Sequence, residues 1–115
     1  MKYGIVGNRV GWEISEVVTE LVKLGITSKD TIISGGAEGV DSFAQIFAKQ
    51  IGCKMVIFYP DKQLPIPARY MLRNRKIAEE CDVLIAFNRY AKSGTKHTIL
   101  EAKALNKKVI EFNKG

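Results

Sequence analysis

The strongest constraint on the fold is a regular alternation of short apolar runs with longer amphipathic patterns along the 115-residue chain. The apolar runs are rich in β-branched residues and nearly continuous, as expected of parallel strands that are covered on both faces. Five such strands are predicted: Tyr3–Val6, Thr31–Ile33, Lys54–Tyr59, Val83–Phe87 and Lys108–Phe112.

Four helices are predicted in the gaps, because apolar residues recur there three and four positions apart. Gly25 and Gly52 follow the first two patterns, at positions where a helix commonly ends. The third helix is predicted over residues 69–81 and the fourth over residues 95–105. The residues expected to face inward are Ile14, Val17, Val18, Leu21 and Val22, then Val40, Phe43, Ala44, Phe47, Ala48 and Ile51, then Ile77, Ala78 and Cys81, and finally Ile99, Ala102 and Leu105.

The resulting βαβαβαβαβ order predicts an α/β fold, a three-layer sandwich in which helices cover both faces of a five-stranded parallel sheet. No internal repeat or linker is recognisable, so residues 1–115 are interpreted as one domain. Periodicity does not reveal the strand order. Ligands of such sheets bind beyond the carboxyl ends of the strands, where the strand order reverses. The residues directly after each strand are therefore the candidates for a functional site.

The basic residues are concentrated in the second half of the chain, which carries the excess behind the formal net charge of +6. Residues 1–53 contain five basic and six acidic side chains, a net charge of −1, whereas residues 54–115 contain thirteen and six, a net charge of +7. This asymmetry favours an anionic partner, either a phosphorylated small molecule or nucleic acid. A lysine-rich solvated surface is the alternative interpretation.

Membrane, secreted and metal-binding proteins are disfavoured. The longest apolar stretch, Val83–Phe87, is far shorter than the about 20 residues that span a bilayer, and the N-terminus lacks the features of a signal peptide. We therefore expect a cytoplasmic protein without membrane contact. Cys53 and Cys81 are interpreted as small buried residues. One histidine, His97, and no Cys-x-x-Cys pair predict neither a metal site nor a required cofactor.

Glycine-rich turns follow the first two strands. Gly7-Asn8-Arg9 comes after the first strand and offers a guanidinium to an anion, although an ordinary strand-to-helix turn has the same composition. Ser34-Gly35-Gly36-Ala37-Glu38-Gly39-Val40-Asp41 comes after the second strand and opens a helix. Backbone N–H groups at a helix N-terminus attract anions, and glycine lets a phosphate approach them. Asp41 is interpreted as a partner of the helix dipole, a ribose ligand or a group that polarises water.

A stiff loop with all three prolines, residues 60–67, separates the third strand from a basic helix. Arg69, Arg73 and Lys76 lie three or four residues apart and share a helix face, next to Asn74 and Arg75. Charge runs of this kind commonly form a solvated face. Because Asn74 interrupts the apolar stripe, we favour a ligand site at this helix.

The segment after the fourth strand, Ser93-Gly94-Thr95, is predicted to cap the last helix. Its hydroxyl and N–H groups are candidates for holding a second phosphate or a sugar. His97 and Glu101 lie one helical turn apart, either as a surface pair or as a proton-transfer pair that faces the cleft.

Together these motifs resemble the SLOG superfamily, the Rossmann-like group that contains the Smf/DNA-processing protein A core and the LOG-type lysine-decarboxylase-like proteins. The resemblance runs from Gly4 to Val109 and implies a Rossmann-like sheet with a nucleotide-binding cleft at the carboxyl ends of its strands. The matching segments are Gly7-Asn8-Arg9, Ser34–Asp41, Arg73–Ala78, Asp82, and Ser93–Thr95 with Thr98 and Ala102.

The two branches of the superfamily imply different functions. LOG enzymes are phosphoribohydrolases with a catalytic glutamate where this chain has Thr98, which disfavours an enzyme and leaves Asp41 and Glu101 as the candidate acid or base. The DNA-processing branch is the closer match and implies binding of single-stranded DNA through basic residues around the cleft. Members are often dimers, so a homodimer is expected. The candidates for stacking on a base are Tyr59, Tyr70 and Tyr90.

The leading hypothesis is a protein that binds a nucleotide or a nucleotide-derived phosphorylated ligand. The first alternative is binding of single-stranded DNA or RNA through the basic rim, and the second is an N-glycoside (phosphoribo)hydrolase. The predicted ligand-binding residues are Gly7, Asn8, Arg9, Ser34, Gly35, Gly36, Gly39, Asp41, Arg73, Asn74, Arg75, Ser93, Gly94 and Thr95.

Overall fold

The computed structural model describes residues 1–91 and 93–113, which form a five-stranded parallel sheet with four helices. The strands lie in the order β3-β2-β1-β4-β5, which confirms the predicted α/β, Rossmann-like three-layer sandwich. In chain order the elements are β1 (Lys2–Gly7), α1 (Ile14–Lys23), β2 (Thr31–Ser34), α2 (Val40–Ile51), β3 (Lys54–Ile57), α3 (Ala68–Glu80), β4 (Val83–Phe87), α4 (Gly94–Ala104) and β5 (Lys108–Phe112).

Successive strand residues point to opposite faces of the sheet, and each face carries its own hydrophobic core. α1 and α2 cover one face, and α3 and α4 cover the other. The core under α1 and α2 includes Ile5, Val17, Leu21, Ile32, Phe47 and Ile85. The core under α3 and α4 includes Val6, Ile33, Ile77, Leu84 and Ile99.

Three residues expected to face inward are exposed instead. Ile14 and Val22 lie at the edges of the α1 stripe, and 61% of the surface of Val22 is accessible, because only the centre of the stripe reaches the sheet. Leu105 is exposed because α4 ends at Ala104 and Leu105 is its C-cap. The predicted stripes were therefore wider than the contacts that the helices make.

The third strand ends at Ile57, two residues earlier than predicted. The N–H of Phe58 still donates to the carbonyl of Ser34 (2.9 Å). The ladder goes no further, because the next residue that would donate to β2 is Pro60, which has no N–H, and Tyr59 is exposed. The carbonyl of Gly35 accepts a hydrogen bond from the guanidinium of Arg73 (2.8 Å).

Both cysteines are free, and they differ in burial. Cys81 is fully buried, as predicted. Cys53 is only partly buried, and its thiol donates to the carbonyl of Thr27 (3.1 Å), because it lies in the turn between α2 and β3 rather than inside the strand.

The strand order reverses between β1 and β4, because the chain extends the sheet from β1 through β2 to β3 and then returns to the other side of β1. Gly7 lies opposite Phe87 in the register of these two strands, so the turns after β1 and β4 leave the sheet side by side. This is the point at which α/β sheets bind ligands. No helix within the described ranges is long and apolar enough to cross a membrane.

Candidate ligand-binding site

A pocket of about 270 Å³ opens at this reversal point, between the turns after β1 and β4, the beginnings of α2 and α4, and the middle of α3. It joins segments that are more than 80 residues apart in the sequence, such as Val10 and Ser93. Its wall is formed by Val6, Gly7, Asn8, Arg9, Val10, Ala37, Asp41, Arg73, Asn74, Ile77, Tyr90, Ser93, Gly94, Thr95 and Thr98.

Asn8 ties the turns around the pocket together and is itself almost fully buried. Its amide nitrogen donates to the side-chain oxygens of Asn88 (3.1 Å) and Thr95 (3.5 Å). Its amide oxygen accepts from the Trp12 indole (3.2 Å) and from the backbone N–H of Arg89 (2.9 Å). With both ends of the amide in use, Asn8 fixes the position of the α4 N-terminus relative to β1.

The N-terminus of α4 forms one wall of the pocket. Ser93 is the N-cap, and its hydroxyl accepts from the N–H of Lys96 (3.1 Å) and donates to Asn88 (3.0 Å). A Cβ on Gly94 would meet no atom within 4 Å, so the space beside it is open. N–H groups in the first helical turn have no intrahelical acceptor, and those of Gly94 and Thr95 lie at this wall, where the helix dipole favours an anion.

Arg73 brings a partly buried cation to the opposite wall. Its Nε donates to the Asn74 amide oxygen (2.8 Å), its Nη1 donates to the Gly35 carbonyl (2.8 Å), and its guanidinium lies 5.9 Å from the centre of the Tyr70 ring. Burial lowers the pKa of Arg73, and the positive charge of Arg9 acts in the same direction, whereas Asp41 raises it. An anion in the pocket would compensate for the burial of this charge.

Asp41 is the one acidic side chain among the described residues that form the wall of the pocket. It is 5% exposed, and one of its carboxylate oxygens accepts from the N–H of Ala37 (3.2 Å). Burial raises the pKa of Asp41 to about 6, against the opposing effects of the Ala37 hydrogen bond and of Arg73. Asp41 therefore changes charge close to neutral pH.

The structure brings nine of the fourteen predicted site residues to the pocket and leaves five outside it. Arg75 points away from it, with its Nε 3.8 Å from a carboxylate oxygen of Glu101. The nine are Gly7, Asn8, Arg9, Asp41, Arg73, Asn74, Ser93, Gly94 and Thr95, and the five are Ser34, Gly35, Gly36, Gly39 and Arg75.

The glycines after β2 pack against the protein itself rather than against the pocket. A Cβ on Gly35 would lie 2.5 Å from Nη1 of Arg73, and one on Gly36 would lie 2.7 Å from the ring of Tyr59. A Cβ on Gly39 would lie 2.4 Å from the carbonyl oxygen of Arg9. The space beside these three glycines is occupied by protein atoms, so their role in the structure is close packing of the turns around the site.

The candidate catalytic groups are also separated. Glu101 lies outside the pocket, where its carboxylate is 3.3 Å from Nε2 of His97 at the contact of α3 with α4. Thr98 lies in the pocket wall, fully buried, and its hydroxyl donates to the carbonyl of Gly94 (3.1 Å). The described residues contain no group of three His, Cys, Asp or Glu side chains that could hold a metal ion.

Sequence reasoning missed the apolar part of the wall. Val6, Val10, Ala37 and Ile77 carry no chemical group that would mark them as site residues, and Ile77 was predicted only as an inward-facing helix residue. Tyr90 was predicted only as a stacking candidate. The signal that would have identified all five is the adjacency of β1 and β4, which the pattern of apolar residues does not contain.

The fold is shared with solved structures, whereas no protein-family model and no curated protein sequence matches the chain. DNA processing protein A from Streptococcus pneumoniae matches with a TM-score of 0.82 and 21% identity, over 99% of this chain and 50% of that chain. DNA processing protein A from Helicobacter pylori, solved for its single-stranded DNA binding mode, matches with a TM-score of 0.74 and 24% identity. The match covers 100% of this chain and 66% of that chain. The structural genomics target TM1055 matches with a TM-score of 0.68 and 23% identity, over 95% of this chain and 72% of that chain.

The chain thus spans 50% of the length of the first of these proteins and 66% of the second. At identities of 21% to 24%, the likeness concerns the arrangement of the backbone. The chain therefore has the Rossmann-like α/β fold found in DNA processing protein A.

Proposed function

We propose that this chain binds a nucleotide or a nucleotide-derived phosphorylated ligand in the pocket between β1 and β4. One observation carries the proposal: the partly buried guanidinium of Arg73 and the N-terminal turn of α4 face the same small cavity. A guanidinium and the positive end of a helix dipole both stabilise a phosphate, and each acts more strongly away from water.

The residues of the pocket suggest where the phosphate and the base of such a ligand would lie. Gly94 and Thr95 offer backbone N–H groups and open space for a phosphate, and Arg9 is an exposed cation at the mouth. Tyr90 is 44% exposed at the rim, where its ring is available for stacking on a base. A volume of about 270 Å³ is at the lower end of ligand pockets and suits a mononucleotide better than a dinucleotide.

We further propose that the chain belongs to the SLOG superfamily. The order of its glycine, arginine and serine-glycine-threonine motifs resembles that group, and the fold agrees with this assignment. Thr98 in the pocket wall, where LOG enzymes carry a glutamate, favours binding over hydrolysis.

The test is a thermal-shift and calorimetric titration of the chain with AMP, ADP, ATP and cyclic AMP. A ligand that binds only the native state raises the melting temperature. Arg73→Gln is expected to weaken binding by about tenfold or more, since charge-assisted hydrogen bonds are worth about 1.5–3 kcal/mol. Gly94→Glu is expected to do the same, because it places a carboxylate in the open space at the α4 N-terminus.

Arg75→Gln is the matched control, because it removes the same charge from the same helix outside the pocket. It is expected to keep the affinity of the unmodified chain. A chain that no nucleotide stabilises, or an Arg75→Gln variant as weak as Arg73→Gln, would overturn the proposal.

A second candidate function is binding of single-stranded nucleic acid. It is favoured by the cations Arg9, Arg89 and Lys96 near the exposed ring of Tyr90, and by the DNA binding of the H. pylori protein with this fold. Of the basic residues expected to contribute, Lys62, Arg69, Arg73, Arg75 and Lys96 are described, whereas Lys92 lies outside the described residues. Fluorescence anisotropy with an oligothymidine should show affinity that falls steeply with salt. Absent or salt-insensitive binding would exclude it.

A further inference from the structure

A chain of hydrogen bonds connects Arg73 in the pocket to the contact between α3 and α4. Nε of Arg73 donates to the Asn74 amide oxygen (2.8 Å), and the Asn74 amide nitrogen lies 3.2 Å from Nδ1 of His97. Nε2 of His97 lies 3.3 Å from a carboxylate oxygen of Glu101. Asn74 and His97 therefore each use one atom for the neighbour on one side and another atom for the neighbour on the other side.

The orientation of the Asn74 amide is fixed by neighbours other than the histidine. Arg73 can only donate, so the oxygen of the amide must face it. The carbonyl of Gly94 can only accept, and it lies 3.4 Å from the other end of the amide, so the nitrogen must face that side. Asn74 is 5% exposed, and water cannot easily replace either partner.

This orientation determines the tautomer of His97. The Asn74 nitrogen is a donor, so Nδ1 of His97 must be the unprotonated acceptor. The ring proton then resides on Nε2 and is donated to Glu101. A second proton would go to Nδ1 and would place two donors against each other.

We infer that His97 is a positioning residue, whose unprotonated Nδ1 holds the Asn74 amide in the orientation that presents Arg73 to the pocket. Protonation of His97 turns this hydrogen bond into a repulsive contact. Rotating the amide to relieve it would place its nitrogen against Arg73 and its oxygen against the Gly94 carbonyl, at the cost of two hydrogen bonds. The hydrogen bond by which Asn74 holds Arg73 is therefore weakened when His97 is charged.

The described charged groups around His97 come from both helices. Glu101 of α4 stabilises the charged imidazole, while Arg75 of α3 faces the same carboxylate from 3.8 Å and weakens that effect. Arg73 acts through Asn74. Burial raises the pKa of Asp41 to about 6, and its protonation removes a negative charge from the pocket and strengthens anion binding. On acidification, protonation of His97 thus lowers the affinity of the pocket for an anion, whereas protonation of Asp41 raises it.

The experiment is an NMR pH titration of the ligand-free chain, in which one histidine gives one set of imidazole signals. In the neutral imidazole, the nitrogen shifts are expected to show a protonated Nε2 and an unprotonated Nδ1. On acidification, the Arg73 Nε–H and Asn74 amide signals should move with the midpoint of the imidazole, and exchange of the Arg73 Nε–H with solvent should accelerate by about tenfold. In the Asp41→Asn background, adding His97→Gln, which keeps an acceptor but cannot titrate, should abolish these movements.

Asp41→Asn is the control that removes the second titrating group, and the coupling between His97 and Arg73 should survive in it. A protonated Nδ1 in the neutral imidazole, or Arg73 and Asn74 signals that do not change during the imidazole titration, would overturn the inference. The consequence for affinity rests on the proposed function. In the Asp41→Asn background, binding of cyclic AMP, whose phosphate does not titrate in this range, should weaken in acid only when His97 is present. NMR coupling without cyclic AMP binding would count against the proposed function and leave the positioning role intact.

Discussion

Gly25 and Gly39 both have a positive φ, of +78° and +76°, in very different surroundings. A Cβ on Gly25 would meet no atom within 4 Å. A Cβ on Gly39 would lie 2.4 Å from the carbonyl oxygen of Arg9 and 2.6 Å from that of Asn8. Both positions need glycine for their backbone angle, but only Gly39 also needs it because two turns of the pocket touch there.

We therefore expect Gly39→Ala to be more damaging than Gly25→Ala. Gly25→Ala should cost about 1–2 kcal/mol, the strain of an alanine at positive φ. Gly39→Ala adds a clash with main-chain atoms, at a φ of 76° and a ψ of −127° that alanine adopts even less readily, and should cost about 1–3 kcal/mol more. Urea unfolding of both variants measures the difference. Equal losses would show that the turns after β1 and β2 can separate without penalty.

Asp41 has a folded-state pKa of about 6, above its ordinary value of 3.8, because it is buried. A raised pKa means that the folded chain holds the proton more tightly than the unfolded chain does. The contribution of Asp41 to stability is then greatest in acid and is lost as the pH rises from the ordinary aspartate pKa through about 6. Asn at this position has the same shape and does not incur this loss.

The stability of the Asp41→Asn variant relative to the unmodified chain should accordingly increase as the pH rises. Between about pH 4.5 and about pH 7.5, the difference in unfolding free energy should move by about 2 kcal/mol in favour of the variant. Asp30→Asn is the control with the opposite sign, because hydrogen bonding by the Thr27 N–H lowers the pKa of Asp30. The Asp30→Asn variant should be less stable than the unmodified chain throughout this pH interval. The difference in unfolding free energy should become smaller only below the ordinary aspartate pKa of 3.8. A pH-independent difference for Asp41→Asn contradicts the assignment.

At the scale of elements, α4 is the helix whose beginning matters most to the pocket. Ser93 caps it, Asn8 holds its first turn through Thr95, and Asn74 reaches the carbonyl of Gly94 from α3. Three side chains from different parts of the sequence thus fix one helix N-terminus by hydrogen bonds. The start of α4 was predicted within one residue, because a serine before a glycine and a threonine is a recognisable cap.

The cap of α4 allows stability to be separated from anion binding. Ser93→Ala removes the acceptor of the Lys96 N–H and should cost about 1 kcal/mol of unfolding free energy. Ser93→Asp should restore the acceptor for the Lys96 N–H and part of the stability, because aspartate is an equally good N-cap but cannot make the hydrogen bond that Ser93 donates to Asn88. Its negative charge beside the pocket should still weaken binding of AMP by about tenfold. A Ser93→Asp chain that binds AMP normally would place the phosphate away from α4.

At the scale of the whole molecule, the sequence predicted the elements better than their arrangement. The alternation of apolar runs was sufficient for five parallel strands between two helical layers. The pocket depends on β1 lying beside β4, and on contacts such as that of Gly39 with Arg9, which have no local signature. For the same reason, Arg73 and Arg75 looked alike in the sequence, although one lies in the pocket and the other pairs with Glu101.

The basic excess of residues 54–115 is likewise divided by the fold between two ends of the sheet. Arg73 and Lys96 lie near the carboxyl ends of the strands, with Arg9 from the first half. Lys54 and Lys108 are the first residues of β3 and β5 and so lie at the amino ends. The charge asymmetry of the sequence does not distinguish these two ends of the sheet, and the structure places only part of the basic excess near the pocket.

This division predicts that two pairs of substitutions with the same charge change act differently on nucleic-acid binding. Replacing Arg9 and Lys96 by Gln should lower the slope of log affinity for oligothymidine against log salt by about 1.4, since each phosphate contact on a single strand contributes about 0.7. Replacing Lys54 and Lys108 by Gln should leave the slope unchanged, because those cations lie at the amino ends of their strands, and the strand length of about 3.3 Å per residue separates them from the carboxyl ends by about a Debye length or more. Anisotropy titrations at several salt concentrations measure both slopes. Equal losses from the two pairs would mean that net charge alone attracts the strand, and the surface around the pocket would then have no special part in binding it.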